Sequence, residues 1–168
     1  MSLTLKILCE DWERWAYSAD KTEQGWESDY PKWTDLIDAA ISTMAKPFLT
    51  EMELTNIEMC WNISEESESL ADYAREHIDE CWNTLSHLKE SAYPNVRWQV
   101  FDTLSVAGER AEGMLREGLE DKDNYCRRRA LLSLACLQPK DMKQIVERFT
   151  KDDDPYIRLI AARMLNTY

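Results

Sequence analysis

A short pattern occurs three times in the second half of the chain, and its period constrains the fold more than any other feature. Each copy places an apolar residue before an arginine, with further apolar residues four, five and eight positions later. The pairs are Val96-Arg97, Cys126-Arg127 and Ile157-Arg158, so the copies are 30 and 31 residues apart. A period of this length is typical of stacked helical hairpins, each of which buries its apolar face against its neighbours. The sequence therefore predicts an all-α fold.

Polar turns in front of these pairs carry the signals that start a helix. Asp123 and Asp154 can accept hydrogen bonds from the first free amides of a helix, and their charge complements its dipole. Pro94 and Pro155 fit the first helical turn, where a missing amide hydrogen removes no intrahelical bond. Each copy is therefore predicted to begin a new helix at its turn.

A second apolar stripe follows each of the first two copies and repeats with the same period. Leu115 and Val146 are 31 residues apart, and Gly108 and Pro139 separate the stripes from the preceding helices. The repeating unit is therefore a hairpin of two helices. Within the second stripe, Gly118 is predicted to allow close packing, whereas Gly108 is predicted to end a helix.

The third copy carries the clearest motif, because residues 154–165 read Asp-Pro-x-Ile-Arg-x-x-Ala-Ala-x-x-Leu. This motif resembles the HEAT-like repeat family, in particular its short bacterial form, and the resemblance covers residues 91–168. It implies a right-handed α-solenoid of stacked antiparallel helical hairpins, with about nine helices in the whole chain. It also implies that the arginines and the aspartates before them tie adjacent hairpins together. Arg97, Arg127 and Arg158 are therefore expected to be structural.

The first half of the chain contains helical stripes of apolar residues but no clean copy of the motif. We expect residues 1–90 to form degenerate hairpins or an N-terminal capping unit, within a single domain of residues 1–168. Thr50-x-x-Glu53 has the form of a capping box that starts one helix. Apolar spacing predicts a longer helix that begins in the acidic stretch Ser64–Glu68 and runs to Leu88.

Composition gives an expectation for the cellular compartment. The chain has five cysteines without a Cys-x-x-Cys pair, and such an odd count indicates reduced thiols. The first residues lack the long apolar core of a secretory signal, and no run of about eighteen apolar residues predicts a membrane span. We therefore expect a cytoplasmic protein that makes no membrane contact and is monomeric when free.

Charge distinguishes the two halves of the chain. Residues 1–90 contain 20 acidic and 7 basic residues, whereas residues 91–168 contain 12 and 13. Second helices line the concave side of HEAT-like stacks, so the resemblance implies a mainly acidic hollow. Two aromatic residues in or beside a loop are expected to be exposed anchors for a partner. The predicted partner-binding residues are Trp26, Tyr30, Asp72, Glu76, Asp79, Glu80, Glu109 and Glu120.

Residue types that carry catalysis or bind metals are sparse. Both histidines, His77 and His87, fall on one predicted helix, which leaves few candidates for a Ser/His/Asp or Cys/His set. His77 and Cys81 are four residues apart, but a zinc site needs three or four ligands. The glycines lack the lysine that ends a phosphate-binding loop. We therefore predict no catalytic residue, no metal and no cofactor.

Nucleic acid is not the expected partner. Some HEAT-like proteins are DNA glycosylases, but their groove is basic. Phosphate contacts dominate affinity for DNA, and a chain with an isoelectric point near 4.6 repels the DNA backbone. The charge balance therefore favours a basic protein as the partner.

Small acidic chains of this kind resemble bacterial immunity proteins, which neutralise toxin domains delivered by neighbouring cells. Many such toxins are nucleases and therefore basic. The first hypothesis is a non-enzymatic immunity protein, active in contact-dependent inhibition, that binds a basic toxin domain through its acidic surface. The second is a HEAT-like adaptor or scaffold subunit. The third is a lyase or glycosylase on the same fold, with an unpaired carboxylate between Glu76, Glu80 and Glu109.

Overall fold

The computed structural model describes residues 4–18, 29–64 and 67–167. Within these ranges it contains ten α-helices and no β-strand, which confirms the all-α class. The helices are α1 (Leu5–Ser18), α2 (Trp33–Met44), α3 (Glu51–Ile63), α4 (Ser69–Glu76), α5 (Trp82–Leu88), α6 (Pro94–Thr103), α7 (Glu112–Gly118), α8 (Asn124–Leu137), α9 (Met142–Phe149) and α10 (Pro155–Leu165). Short 3-10 turns, Leu104–Val106 and Gly108–Ala111, connect α6 to α7.

The helices form two compact units, Met1–Gln99 and Val100–Tyr168, and the boundary between them lies within α6. The first unit holds α1 to α5 and the start of α6. The second holds the rest of α6 and α7 to α10. The boundary therefore falls near the place where the regular repeats begin, and a single domain of the whole chain stays a prediction.

The prediction of one longer helix that runs to Leu88 is wrong, because the chain forms two shorter helices there. α4 ends at Glu76 and α5 begins at Trp82. His77 has φ −120° and ψ 42°, outside the α-helical region. The apolar spacing nevertheless continues through this break, since Ala74 and Cys81 are both fully buried. Periodicity alone could therefore not reveal where the helix ends.

α1, α2 and α3 pack against one another in the first unit. Leu8, Leu36 and Ile57, one from each helix, are at most 2% exposed. Trp61 on α3 is also fully buried, and its indole Nε1 donates a hydrogen bond to Met44 Sδ at 3.3 Å. Burial of such large side chains is the main stabilising contribution of this three-helix layer.

The capping box predicted at the start of α3 is confirmed. Thr50 Oγ1 accepts a hydrogen bond from the Glu53 amide at 3.3 Å, and Glu53 Oε2 accepts one from the Thr50 amide at 2.9 Å. The hydrogen bond from Lys46, followed by those from Thr50, lowers the pKa of Glu53 to about 2. The local sequence therefore fixes where α3 begins.

In the second unit, α7 packs against α8, and α9 packs against α10. The apolar positions that repeat in the sequence form the core of this unit. Leu115, Leu134, Val146 and Ile157 are all fully buried. These positions come from both stripes of the pattern, which confirms that both helices of the hairpin repeat.

The aspartates predicted to start helices do so with matching geometry. Asp123 Oδ1 accepts hydrogen bonds from the amides two and three residues later, at 2.9 and 3.0 Å. Asp154 Oδ1 accepts the equivalent pair, both at 2.9 Å. Pro155 occupies the first turn of α10, as predicted. Each aspartate therefore satisfies two amides that have no partner within the helix.

The arginine of every copy binds the turn that precedes its own helix. Arg97 Nη1 donates to the carbonyls of residues 91 and 92 at 2.8 and 3.2 Å. Arg127 Nη1 donates to those of residues 121 and 122 at 3.0 and 3.5 Å. Arg158 Nη1 donates to those of residues 152 and 153 at 2.7 and 2.9 Å. We call these three residues the arginine anchors, because each holds the turn after the preceding helix against the start of the next.

Arg127 also binds the turn of the following copy. Its Nη2 and Nε donate to Asp152 Oδ1 and Oδ2 at 3.1 and 3.3 Å. Burial raises the pKa of Asp152, but the hydrogen bonds from Arg127 and the Asp154 amide outweigh it and hold that pKa below its ordinary value. Asn124 Nδ2 donates to Asp154 Oδ2 at 2.5 Å. Neighbouring hairpins are therefore tied together here, as the resemblance implies.

Gly118 confirms the predicted close packing of α7. A methyl group at this position would lie 2.8 Å from Phe101 Cε1 and 2.9 Å from Ala130 Cβ, closer than van der Waals contact allows. Gly113 lies in the same helix, and a methyl group there would meet no atom within 4 Å. The two glycines therefore form a matched pair for substitution.

We expect Gly118→Ala to lower the free energy of unfolding by about 1–3 kcal/mol, because the methyl group overpacks the contact. Gly113→Ala should raise it by about 0.5–1 kcal/mol through its better helix propensity. Urea denaturation of the three proteins measures both effects. Equal free energies of unfolding for the two variants would contradict the packing of α7 on α8.

Asp152→Asn should lower the free energy of unfolding at neutral pH by about 1–3 kcal/mol, because it removes the charge from the Arg127 pair. The pKa of Asp152 in the folded protein lies below 3.8, its ordinary value. The pair therefore contributes its stability above pH 3.8 and loses it as the pH falls further. Urea denaturation between pH 7 and pH 2.5 should show the difference from the wild type shrinking at the acidic end.

Asp153→Asn is the control for this experiment, since Asp153 is exposed and adjacent in sequence. It should change the free energy of unfolding by less than about 0.5 kcal/mol. A similar loss in both variants would show that general charge, not the Arg127–Asp152 pair, sets the stability.

Candidate functional site

The acidic residues predicted as a binding site in the first unit lie on α4 and in the turn after it. Asp72 and Glu76 are four residues apart on α4 and therefore share one helix face. Asp79 and Glu80 belong to the turn between α4 and α5. All four side chains are exposed. The four residues do not share the face of one helix, because α4 ends before Asp79.

We call these four residues the 72–80 acidic surface, and two basic side chains lie beside it. Arg75 Nη1 donates to Asp72 Oδ1 at 2.5 Å, and its Nη2 donates to Glu68 Oε2 at 3.2 Å. His77 Nδ1 lies 3.7 Å from Glu80 Oε1, and its ring stacks on Tyr73 with the centroids 4.3 Å apart. The ion pair between Arg75 and Asp72 is exposed and therefore adds little stability. The exposed carboxylates of Asp72 and Glu80 can therefore still contact a partner.

Two further predicted residues belong to the second unit. Glu109 is exposed in the 3-10 turn that leads to α7, and Glu120 is exposed just after α7 ends. Arg148 Nη2 donates to Glu120 Oε1 at 2.7 Å. A common acidic hollow shared by these two glutamates and the 72–80 acidic surface stays a prediction.

The expectation that Tyr30 is an exposed aromatic anchor is wrong. Its side chain is 4% exposed, because the ring packs at 5.4 Å from the Trp15 ring and the hydroxyl donates to Asp11 Oδ2 at 2.6 Å. Burial, followed by the bond to Asp11, raises the pKa of Tyr30 well above its ordinary value. The structure therefore gives Tyr30 a role in holding α1 to the start of α2. Trp26 lies outside the described residues.

A groove of about 890 Å³ lies between the first three helices, and no sequence pattern predicted it. Its lining includes Leu5 and Leu8 from α1, Asp35 and Asp38 from α2, and Met52 from α3. We call it the α1–α3 groove. It exists because three separate helices leave a space between them, and no local motif encodes such a space.

A smaller cleft of about 250 Å³ lies in the second unit between α7 and α9. Its charged groups are paired with one another. Arg116 donates to both carboxylate oxygens of Asp141 at 2.7 and 3.1 Å and to Glu112 Oε1 at 2.9 Å. The bonds to Asp141 and then Glu112 raise the pKa of Arg116 above its ordinary value. This cleft is therefore an ion-pair network that joins two second helices.

Carboxyl groups with a lowered pKa occur where hydrogen bonds hold helices and turns. The Lys32 ammonium, followed by the Tyr30 hydroxyl, lowers the pKa of Asp11 strongly. The amide of Ile157 is the main cause of the low pKa of Asp154. In the part of the chain that the structure describes, no group of three or more His, Cys, Asp or Glu side chains could hold a metal ion. These groups therefore have structural roles rather than the arrangement of an acid–base pair.

All five cysteines are free thiols, and four of them are buried. Cys9 Sγ on α1 lies 3.8 Å from Cys60 Sγ on α3. The hydrogen bond with Cys9, followed by burial, raises the pKa of the Cys60 thiol. Such thiols behave as small apolar side chains and join α1 to α3 by packing.

Comparison with known proteins matches residues 83–166, half of the chain, to HEAT repeats. The matched region runs from α5 to the end of α10 and includes all three arginine anchors. No curated protein matches the chain. Among the described residues, no helix has the length and apolar character needed to cross a membrane. The helical composition and the matched repeats are consistent with an α-solenoid, and the chain therefore belongs to the HEAT repeat family.

Proposed function

We propose that this chain is a non-enzymatic protein-binding module that captures a basic protein partner. HEAT repeats commonly mediate binding between proteins, which supports the general role. The 72–80 acidic surface carries the choice of partner, because it exposes four carboxylates within nine residues. Glu109 and Glu120, two other members of the predicted set, are exposed in the second unit, whereas Tyr30 is buried.

Charge complementarity explains how such a surface selects its partner. Opposite potentials speed the encounter of two proteins and penalise partners of the wrong sign. The first half of the chain carries 20 acidic against 7 basic residues, so its long-range field attracts cations. Most of the affinity of an interface comes from a few well-packed side chains. The acidic surface therefore provides selectivity and association rate.

The specific role that we propose is that of an immunity protein that inhibits a basic toxin domain by binding it. Two observations support this role: the acidic excess of the first unit, and a fold built for surface recognition. A HEAT adaptor or scaffold subunit is equally consistent with the family. The two roles differ in the partner, since an immunity protein abolishes the activity of the protein that it binds.

An enzyme of the lyase or glycosylase kind has less support. It requires an unpaired carboxylate in a deep pocket formed by Glu76, Glu80 and Glu109. Glu76 and Glu80 are exposed, and Glu109 belongs to the other unit. None of the three lines the α1–α3 groove or the cleft between α7 and α9. HEAT repeats are also generally non-catalytic.

Charge reversal tests the proposed function. The wild-type chain serves as bait in native lysate, and the captured protein is purified and its Kd measured by calorimetry. The triple variant Glu76→Lys, Glu80→Lys, Glu109→Lys should weaken binding by at least about tenfold, because like charges now face each other. Co-expression of the chain with the partner should also abolish the partner's toxicity if the immunity role is right.

The matched control reverses exposed charges at Glu147 and Asp153 in the second unit. A second control carries Glu109→Lys alone. The two controls together separate the effect of total charge from that of the 72–80 acidic surface. An unchanged Kd in the triple variant would refute the proposed surface. A partner that is acidic at neutral pH would refute the proposed class of partner.

A further inference from the structure

We propose that the α1–α3 groove is a second recognition site, which docks a cationic amphipathic segment of a protein partner. Basic side chains of that segment bind Asp35 and Asp38, and its apolar side chains cover the groove floor and the neighbouring residues Phe48 and Met52. This inference rests on the proposed function only in taking a protein as the partner. The site itself lies apart in sequence from the 72–80 acidic surface.

The most buried residues of the groove form its floor and are mainly apolar, whereas the rest of its lining is mainly polar. Leu5 and Leu8 are 6% and 2% exposed, and Thr43 is buried with its hydroxyl donated to the Ala39 carbonyl at 2.7 Å. The Thr43 hydroxyl therefore has no hydrogen left to donate to a ligand. A floor of this kind favours aliphatic side chains over a polar ligand.

The charges along the rim leave an acidic excess. Lys6 lies 3.7 Å from Glu10, and Lys46 donates to Glu53 Oε1 at 2.6 Å, so both lysines that line the groove already have acidic partners. Asp35 and Asp38 are exposed, one helical turn apart on α2. Neither of their carboxylates has an ion pair within the described part of the chain. The two groups that remain available are therefore both anionic.

Large apolar side chains are exposed beside the groove. Met52 lines it and is 52% exposed. Phe48 is 88% exposed, and in the sequence it stands between the lining residues Lys46 and Thr50. Exposure of such side chains next to a concave surface is typical of interaction sites. Aromatic residues are also enriched among those that dominate binding energy.

These features together select the occupant. An apolar floor, two adjacent carboxylates and an exposed aromatic ring match a segment with one apolar and one basic face. An anionic membrane surface is disfavoured, because the rim and the whole first unit are acidic. A free polyamine would satisfy the carboxylates but would leave the apolar floor and Phe48 uncovered. The occupant that the geometry favours is therefore a protein segment.

The test uses the whole chain and a defined probe. The probe is a labelled 14-residue helical peptide with leucines at i, i+3, i+4 and i+7 and arginines on the flanks. We expect fluorescence anisotropy to detect its binding, and amide NMR signals of the lining residues Ala39 and Asn56 to shift on titration. The double variant Asp35→Asn, Asp38→Asn should weaken binding of the peptide by about tenfold or more, since charge-assisted contacts are lost.

A second variant blocks the groove without touching its charges. Ser42 and Thr55 are both exposed helical residues whose hydroxyls donate to the carbonyl four residues earlier, at 2.8 and 3.0 Å. Ser42 lines the groove and Thr55 does not. Ser42→Trp should therefore weaken binding of the peptide by about tenfold or more, whereas Thr55→Trp should leave the Kd of the peptide unchanged within about twofold. Circular dichroism confirms that each variant folds.

Each outcome decides the inference. No binding of the peptide at 100 μM, or equal loss in Ser42→Trp and Thr55→Trp, would overturn it. Displacement of the peptide by spermine, at a spermine concentration no higher than the Kd of the peptide, would assign the site to polyamines. This result would also overturn the inference. The peptide could instead bind the wild type, the Asp35→Asn, Asp38→Asn variant and Ser42→Trp equally, but fail to bind the Glu76→Lys, Glu80→Lys variant. That result would refute the groove as a binding site and leave the proposed function standing.

Discussion

The contact between each repeat arginine and the turn before its helix is the interaction on which the second half of this protein depends. The carbonyls after the last turn of a helix have no amide partner of their own and need another donor. Each arginine anchor supplies that partner twice, to carbonyls five and six residues earlier. The same side chain of Arg127 continues to Asp152 in the next turn, so one residue satisfies two successive turns. A planar guanidinium suits this geometry better than a lysine ammonium because its donors point in fixed directions.

The fold of the repeats could be predicted because its determinants are local. Asp123 and Asp154 sit next to the amides that they cap, and Pro155 occupies the first turn of the helix that it starts. The repeat period then shows that these local features recur. The capping box at Thr50 is local as well, and it too could be recognised. Wherever the determinant and its effect lie within one helical turn, the sequence was sufficient.

The first half could be predicted less well because its determinants are distant in sequence. Tyr30 is buried by Trp15 and Asp11 on another helix, so its position beside a loop was misleading. The end of α4 at Glu76 coincides with no glycine or proline, and the apolar spacing continues across it. The α1–α3 groove depends on the relative placement of three helices. None of these features changes the hydrophobic pattern, which is the only signal that a single sequence provides for them.

We infer that the two units have different tasks. The regular repeats hold their own turns and neighbours through charged pairs, while the irregular, acidic first unit presents the candidate binding surfaces. Hydrogen–deuterium exchange of the chain with and without its captured partner tests this division most directly. The account predicts that binding protects amides between residues 35 and 80 and leaves the amides of α8 to α10 unchanged. Protection confined to α8 to α10, with none in the first unit, would contradict it.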